Sequence, residues 1–165
     1  MVDSYAYDDG GRLASHTDAM GRTLAYTYYG DDLLAQTTAT GVKLNGSTTA
    51  RDVVVESDCY DGAGHLTSQV TGGGKNRVDY LYDEIGNRIA QIVDPDGVAR
   101  RTDCELDPDS NIIKTTLTDG ATERQEVTSY TFDSLHRMTK KTVENGDEDL
   151  TTSLTLNQLG NTPPW

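Results

Sequence analysis

Apolar and aromatic positions along this chain alternate with polar ones at a period of two, and no useful stretch keeps the 3.6-residue spacing of an amphipathic helix. The clearest stretch is Tyr80-Leu81-Tyr82-Asp83-Glu84-Ile85-Gly86-Asn87-Arg88. Tyr80 and Tyr82 lie two apart, so they project from one face of a strand. Asp83 opens a turn, because its short carboxylate accepts hydrogen bonds from the turn's own amides. Gly86 suits the position where such a turn needs a positive φ. A four-residue turn of this kind closes a hairpin.

The pattern recurs. Tyr5, Tyr7, Asp8 and Gly11 form one copy, Tyr60, Asp61 and Gly64 another, and Tyr130, Phe132 and Asp133 a third, with His136 where glycine is expected. Leu106-Asp107-Pro108-Asp109-Ser110 and Leu154-Thr155-Leu156-Asn157-Gln158-Leu159-Gly160 are drifted copies. Tyr26-Thr27-Tyr28-Tyr29 keeps the tyrosines without the Asp-x-x-Gly turn. A second turn follows in some units, at Asp18–Gly21 and Asp94–Gly97. The anchors Tyr7, Tyr28, Tyr60, Tyr82, Leu106, Phe132 and Leu156 are separated by 21, 32, 22, 24, 26 and 24 residues. Self-similarity at a short period is the signature of an array. The long interval holds a loop insertion at about residues 39–50. The expected fold is all-β: tandem hairpins over residues 1–165, forming one curved or spiral antiparallel sheet with no helix longer than about two turns. The residues between the paired positions are mostly polar, so one face is buried and the other wetter.

Composition limits this picture in two ways. Leu, Ile, Val and Phe make up fewer than one residue in five and the net charge is −13, which borders on a disordered composition. Nine tyrosines and many threonines at strand positions argue for order, with a thin core and unit-to-unit stacking as its source. The acidic balance argues against nucleic acid as a partner. No apolar run is long enough to span a membrane, and no signal peptide is visible at Met1.

Candidate chemistry is sparse. Gly72-Gly73-Gly74-Lys75-Asn76 lacks the first glycine and the Ser/Thr of a phosphate loop, and reads as a turn. The Asp94–Gly97 and Asp107–Asn111 turns lack the alternating carboxylates and distal Glu of a calcium loop. His16, His65 and His136 occupy different repeat positions without metal-ligand spacing. Asn45-Gly46-Ser47 is a formal glycosylation sequon. No catalytic, metal or cofactor site is expected. Cys59 lies between the paired positions of its strand and Cys104 occupies one, so the two are expected on opposite faces as free thiols.

The Tyr-Asp pair, the following Gly-Arg or Gly-Asn and the second Asp-x-x-Gly resemble the bacterial YD-repeat, or Rhs-repeat, family over nearly the whole chain. That resemblance implies a spiral β-sheet wound into a hollow shell. In many members the shell encloses a toxic C-terminal domain, and other members sit on cell surfaces. It implies flanking repeats of a parent protein as partners, an enclosed toxin domain as a further partner, and a secreted or cell-surface location. Some members cut themselves, using a region that ends the shell and carries repeated Asp-Pro-x-Gly motifs within a longer pattern of Asn, Leu and Tyr; Asp94-Pro95-Asp96-Gly97 matches only four residues mid-array, so that activity is not carried over. Two readings compete: a structural, non-enzymatic stretch of shell wall, or a binding module whose tyrosines and turn aspartates hold a carbohydrate or another cell-surface ligand. Glycan-array binding by the purified chain separates them.

Overall fold

In a computed structural model of the chain, residues 2–43, 46–144 and 150–153 are described. The drifted copy at Leu154–Gly160, with its anchor Leu156, and Asn45 of the sequon lie outside them. Thirteen strands form among the described residues, and no helix does. They are β1 (Ser4–Tyr7), β2 (Leu13–Thr17), β3 (Thr23–Tyr28), β4 (Leu34–Val42), β5 (Arg51–Tyr60), β6 (Leu66–Thr71), β7 (Asn76–Tyr82), β8 (Arg88–Val93), β9 (Arg100–Leu106), β10 (Ile112–Thr118), β11 (Gln125–Phe132), β12 (Met138–Val143) and β13 (Leu150–Ser153). Their order in a single open sheet is their order in sequence. The chain therefore forms the all-β antiparallel run of hairpins that the period-two pattern predicts. β4 runs to Val42, so the first residues of the expected insertion are strand.

The chain divides into two compact halves, Met1–Asp79 and Tyr80–Trp165. In the first half the anchors pair with apolar residues six positions on: Tyr7 with Leu13, Tyr28 with Leu34 and Tyr60 with Leu66. A one-residue register shift sits beside each pair, between Ala6 and Tyr7, Thr27 and Tyr28, and Cys59 and Tyr60. In the second half Leu106 pairs with Ile112 and Phe132 with Met138, with the same shift. Such a bulge follows from a turn that ends in a left-handed residue.

The alternation between faces holds strand by strand. Ala6, Thr27, Cys59, Leu81, Glu105 and Thr131, the residues between the paired positions, are all exposed. Tyr26, Tyr28, Tyr60, Tyr80, Tyr82, Tyr130 and Phe132 are half-buried. Tyr5 and Tyr7 on β1 depart from the expected burial and are 56% and 64% exposed. The reason is local: β1 stands first in the strand order and has a neighbour on one side only. Ala90 is the one apolar side chain that is buried among the described residues; the buried polar ones are Thr37, Asp58 and Thr128. Among the described residues both faces of the strands are partly wet, so the thin core expected from composition is thinner still.

Candidate functional site: the aspartate turn and its ladder

Six turns are built on one plan. At Asp83 the amide of Gly86 donates to the Asp83 carbonyl at 3.1 Å, and the Asp83 amide donates to the Asn87 carbonyl at 2.9 Å. The Asp83 carboxylate fills the inside of the turn. Its Oδ1 accepts from the amides of Ile85 at 3.0 Å and Asn87 at 2.8 Å, and its Oδ2 accepts from Asn87 Nδ2 at 3.0 Å. Asp8 holds Gly10, Arg12 and the Arg12 Nε in the same way. Asp18 holds Met20 and Arg22, Asp61 holds Ala63 and His65, Asp107 holds Asp109 and Asn111, and Asp133 holds Leu135 and Arg137. The residue four positions after each aspartate also closes onto Oδ2 with its side chain.

These contacts lower the carboxyl pKa at all six aspartates. The amide of the fourth residue on is the largest cause at Asp8, Asp18 and Asp61. The side chain of that residue is the largest at Asp107 and Asp133. At Asp83 partial burial acts upward, and the Asn87 side chain and amide outweigh it. A carboxylate that accepts several donors prefers its charged form.

The third residue after the aspartate adopts a positive φ. It is glycine at Gly11, Gly21, Gly64 and Gly86, with 89° at Gly86. Ser110 at 64° and His136 at 58° hold the same conformation without being glycine. The tyrosine copy without an aspartate keeps the backbone turn as well. Tyr29 N–H donates to the Leu33 carbonyl at 2.8 Å, Asp32 N–H donates to the Tyr29 carbonyl at 3.2 Å, and Asp32 has φ 67°. The Tyr29 hydroxyl donates to the Asp58 carbonyl at 2.9 Å, and its ring meets Tyr60 edge-on, 6.0 Å between centroids. Sequence reasoning missed this turn because it looked for the carboxylate. The signal was present as Asp32 and Leu33, three and four residues on.

The second turn at Asp94 differs from the expected Asp-x-x-Gly form. Gly97 does not take the left-handed conformation; Asp94 at 55° and Ala99 at 53° do. Both the Gly97 and Ala99 amides donate to the Asp94 carbonyl. The turn is one residue longer, and the position that calls for φ > 0 moves with it. The Gly72–Gly74 stretch is a tight β6–β7 connection, closed by the Lys75 amide donating to the Thr71 carbonyl at 3.1 Å. Among the described residues, no group of three or more His, Cys, Asp and Glu side chains is arranged to hold a metal ion.

Successive turns touch along one edge of the sheet. Arg12 Nη1 donates to Asp32 Oδ1 at 2.8 Å and to the Tyr29 carbonyl at 3.2 Å. The Arg12 guanidinium also lies over the Tyr28 ring, 5.0 Å from its centroid, and the Tyr28 hydroxyl donates to the Leu13 carbonyl. In the second half Asn87 Nδ2 donates to Ser110 Oγ at 3.1 Å, and Asn111 Nδ2 lies 3.0 Å from His136 Nδ1. Asn111 Nδ2 also donates to Asp107 Oδ2 at 2.8 Å, which identifies that atom as the amide nitrogen.

The tyrosine face carries one irregular position. Asp58 replaces an aromatic there and is 4% exposed, with Oδ1 lacking a hydrogen-bond partner among the described residues. Burial pushes its carboxyl up, and the Gln69 side chain offsets this in part.

Residues 60–99 fit the family model described as RHS Repeat. Over those residues the chain is similar to an RHS repeat. That match covers two of the Tyr-Asp turns, at Asp61 and Asp83. Solved structures share the fold at low sequence identity. A crystal structure of TcdB2-TccC3-TEV is 13% identical, covering 97% of this chain and 9% of that one, with a TM-score of 0.72. TcdB2-TccC3-Cdc42 is 16% identical over 94% of this chain and 10% of that one, with a TM-score of 0.54. A variant Photorhabdus luminescens Tc holotoxin pore is 17% identical over 93% and 10%, with a TM-score of 0.57. The chain thus spans about a tenth of the length of those chains. No curated protein matches it. No helix of the described residues is long and apolar enough to cross a membrane.

Proposed function

We propose that this chain is a structural segment of an RHS-repeat wall, with no catalytic role of its own. One observation carries the reading. The strands are hydrogen-bonded in sequence order within one sheet, and Ala90 is the one buried apolar side chain among the described residues. A domain that folds around its own core buries two packed layers. An array whose repeats stabilise one another needs only the next repeat. The units anchored at Tyr7, Tyr28, Tyr60, Tyr82, Leu106, Phe132 and Leu156 are the bricks of that wall, and the turn aspartates and anchor tyrosines are structural residues. The likeness to chains of toxin complexes extends the proposal: the parent protein is a secreted or cell-surface shell, its flanking repeats continue the sheet, and it encloses a toxic domain. The test is electron microscopy of the parent protein containing this segment, combined with proteolysis. A hollow particle that protects an internal domain is the expected result. A bead-like or solid particle, with no protected domain, overturns the reading.

A further inference from the structure

Three polar contacts and one apolar approach within the two halves link the turn of one repeat to the turn of the next. Arg12 meets Asp32, Asn87 meets Ser110 and Asn111 meets His136, each a polar pair. The fourth joins Leu33 to Gly64, where a Cβ would stand 3.8 Å from Leu33 Cδ1. In each pair the first member lies four residues after the start of its turn. The second member is the left-handed residue of the following turn.

A left-handed conformation strains every residue except glycine, though Asn, Asp and His visit it more readily than others. Serine has no such excuse. Yet Asp32, Ser110 and His136 all hold it, and each side chain meets a polar group of the repeat before it. Where the preceding side chain is Leu33, there is space for a Cβ at Gly64, its nearest neighbour would be the apolar Leu33 Cδ1, and glycine stands there.

We propose that this turn edge is a recognition surface between successive repeats. The side chain four residues after the turn's start selects what the next repeat places in its left-handed position. Arg and Asn take a partner repeat with a polar side chain there, and Leu takes one with glycine. The inference goes beyond membership of a shell wall and does not rest on it.

Two mutant cycles in the full chain test the rule, read by amide hydrogen exchange at the turn. In the first, Ser110→Gly is made alone and in an Asn87→Ala background. Asn87 also holds the Asp83 carboxylate, and the cycle subtracts that shared loss. Ser110→Gly alone leaves the local opening constant unchanged or raises it, because strain relief and the lost contact oppose each other. In the Asn87→Ala background it lowers the constant, with a coupling of about threefold to tenfold, the range of one hydrogen bond. An identical effect in both backgrounds overturns the rule. In the second, Leu33→Asn and Gly64→Ser each raise opening alone, and the double variant returns to within about threefold of the starting protein. Losses that simply multiply overturn it. If Leu33→Asn does not fold, Asn111→Ala with His136→Gly reads the same coupling at an exposed contact, and independent effects there overturn the rule.

Discussion

At the scale of single residues, the turn aspartate is the part that recurs most faithfully. Its two oxygens close a loop of backbone amides that would otherwise face water, and the fourth residue on completes the closure. Glycine at the left-handed position then matters for strain and little for contact. Gly86 holds φ 89°, so Gly86→Val should lower stability by about 1–2 kcal/mol, measured as a drop in the urea midpoint. An unchanged midpoint means the turn tolerates β-branching and the assignment is wrong. The thiols give a second check at this scale. Cys59 is exposed, while Cys104 is half-buried and burial pushes its thiol up. A thiolate is the reactive form. Ellman titration of the native chain should therefore find one fast and one slow group, and denaturation should equalise them. Two equally fast groups in the native chain would contradict the face assignment.

At the scale of the hairpin, the anchor, its apolar partner six residues on and the adjacent bulge act together. Tyr28 with Leu34 and Phe132 with Met138 place one apolar pair at the same point of each unit. These rings are half-buried, so Tyr82→Ala should cost about 1–2 kcal/mol, less than truncation in a closed core. Ala90 on β8 is the exception, 2% exposed. Ala90→Leu adds a branched side chain at this buried position and should cost about 1–3 kcal/mol by overpacking. Thermal melting of both variants compares the two. If Tyr82→Ala is the more harmful by a wide margin, packing is concentrated on the tyrosine face instead of at β8. The anchors, the hairpin period and the Asp-x-x-Gly turns were legible in the sequence, because each depends on residues within about eight positions of one another. The Tyr29 turn was not, because the backbone closes it without a carboxylate, and a motif search sees side chains only.

At the scale of the molecule, charge decides how stability depends on pH. The six Asp-turn carboxyls, together with Asp119, titrate below their ordinary value in the folded chain. Each contributes stability that is present above the unfolded value of about 3.8 and is lost as pH falls through the folded value. Asp58 runs the other way. Its folded pKa is raised by burial, so its contribution is present below the unfolded value and is lost as pH rises through the folded one. Burial disfavours the charged form of Asp58, the form that rising pH brings on, and its Oδ1 has no hydrogen-bond partner among the described residues. Asp58→Asn should therefore raise the melting temperature at pH 7, and the gain should shrink toward pH 4. A gain of equal size at both pH values would mean that the charge is not the source of the cost.

The sequence by itself determined the period, the strand ends, the turn chemistry and the all-β class, because these are local properties of residues two to eight apart. It also determined that no large apolar core would form, since too few apolar residues were available. Only the tertiary structure decided which side chains of one repeat meet the next. The contacts of Arg12 with Asp32, Asn87 with Ser110 and Asn111 with His136 join residues 20, 23 and 25 positions apart. Their partners are set by how the hairpins stack, and spacing within a single unit carries no trace of it. The burial of Asp58 belongs to the same class. Its place in the aromatic series is visible along the strand, but Tyr29, 29 positions away, whose hydroxyl reaches the Asp58 carbonyl, is brought there by the pairing of neighbouring strands.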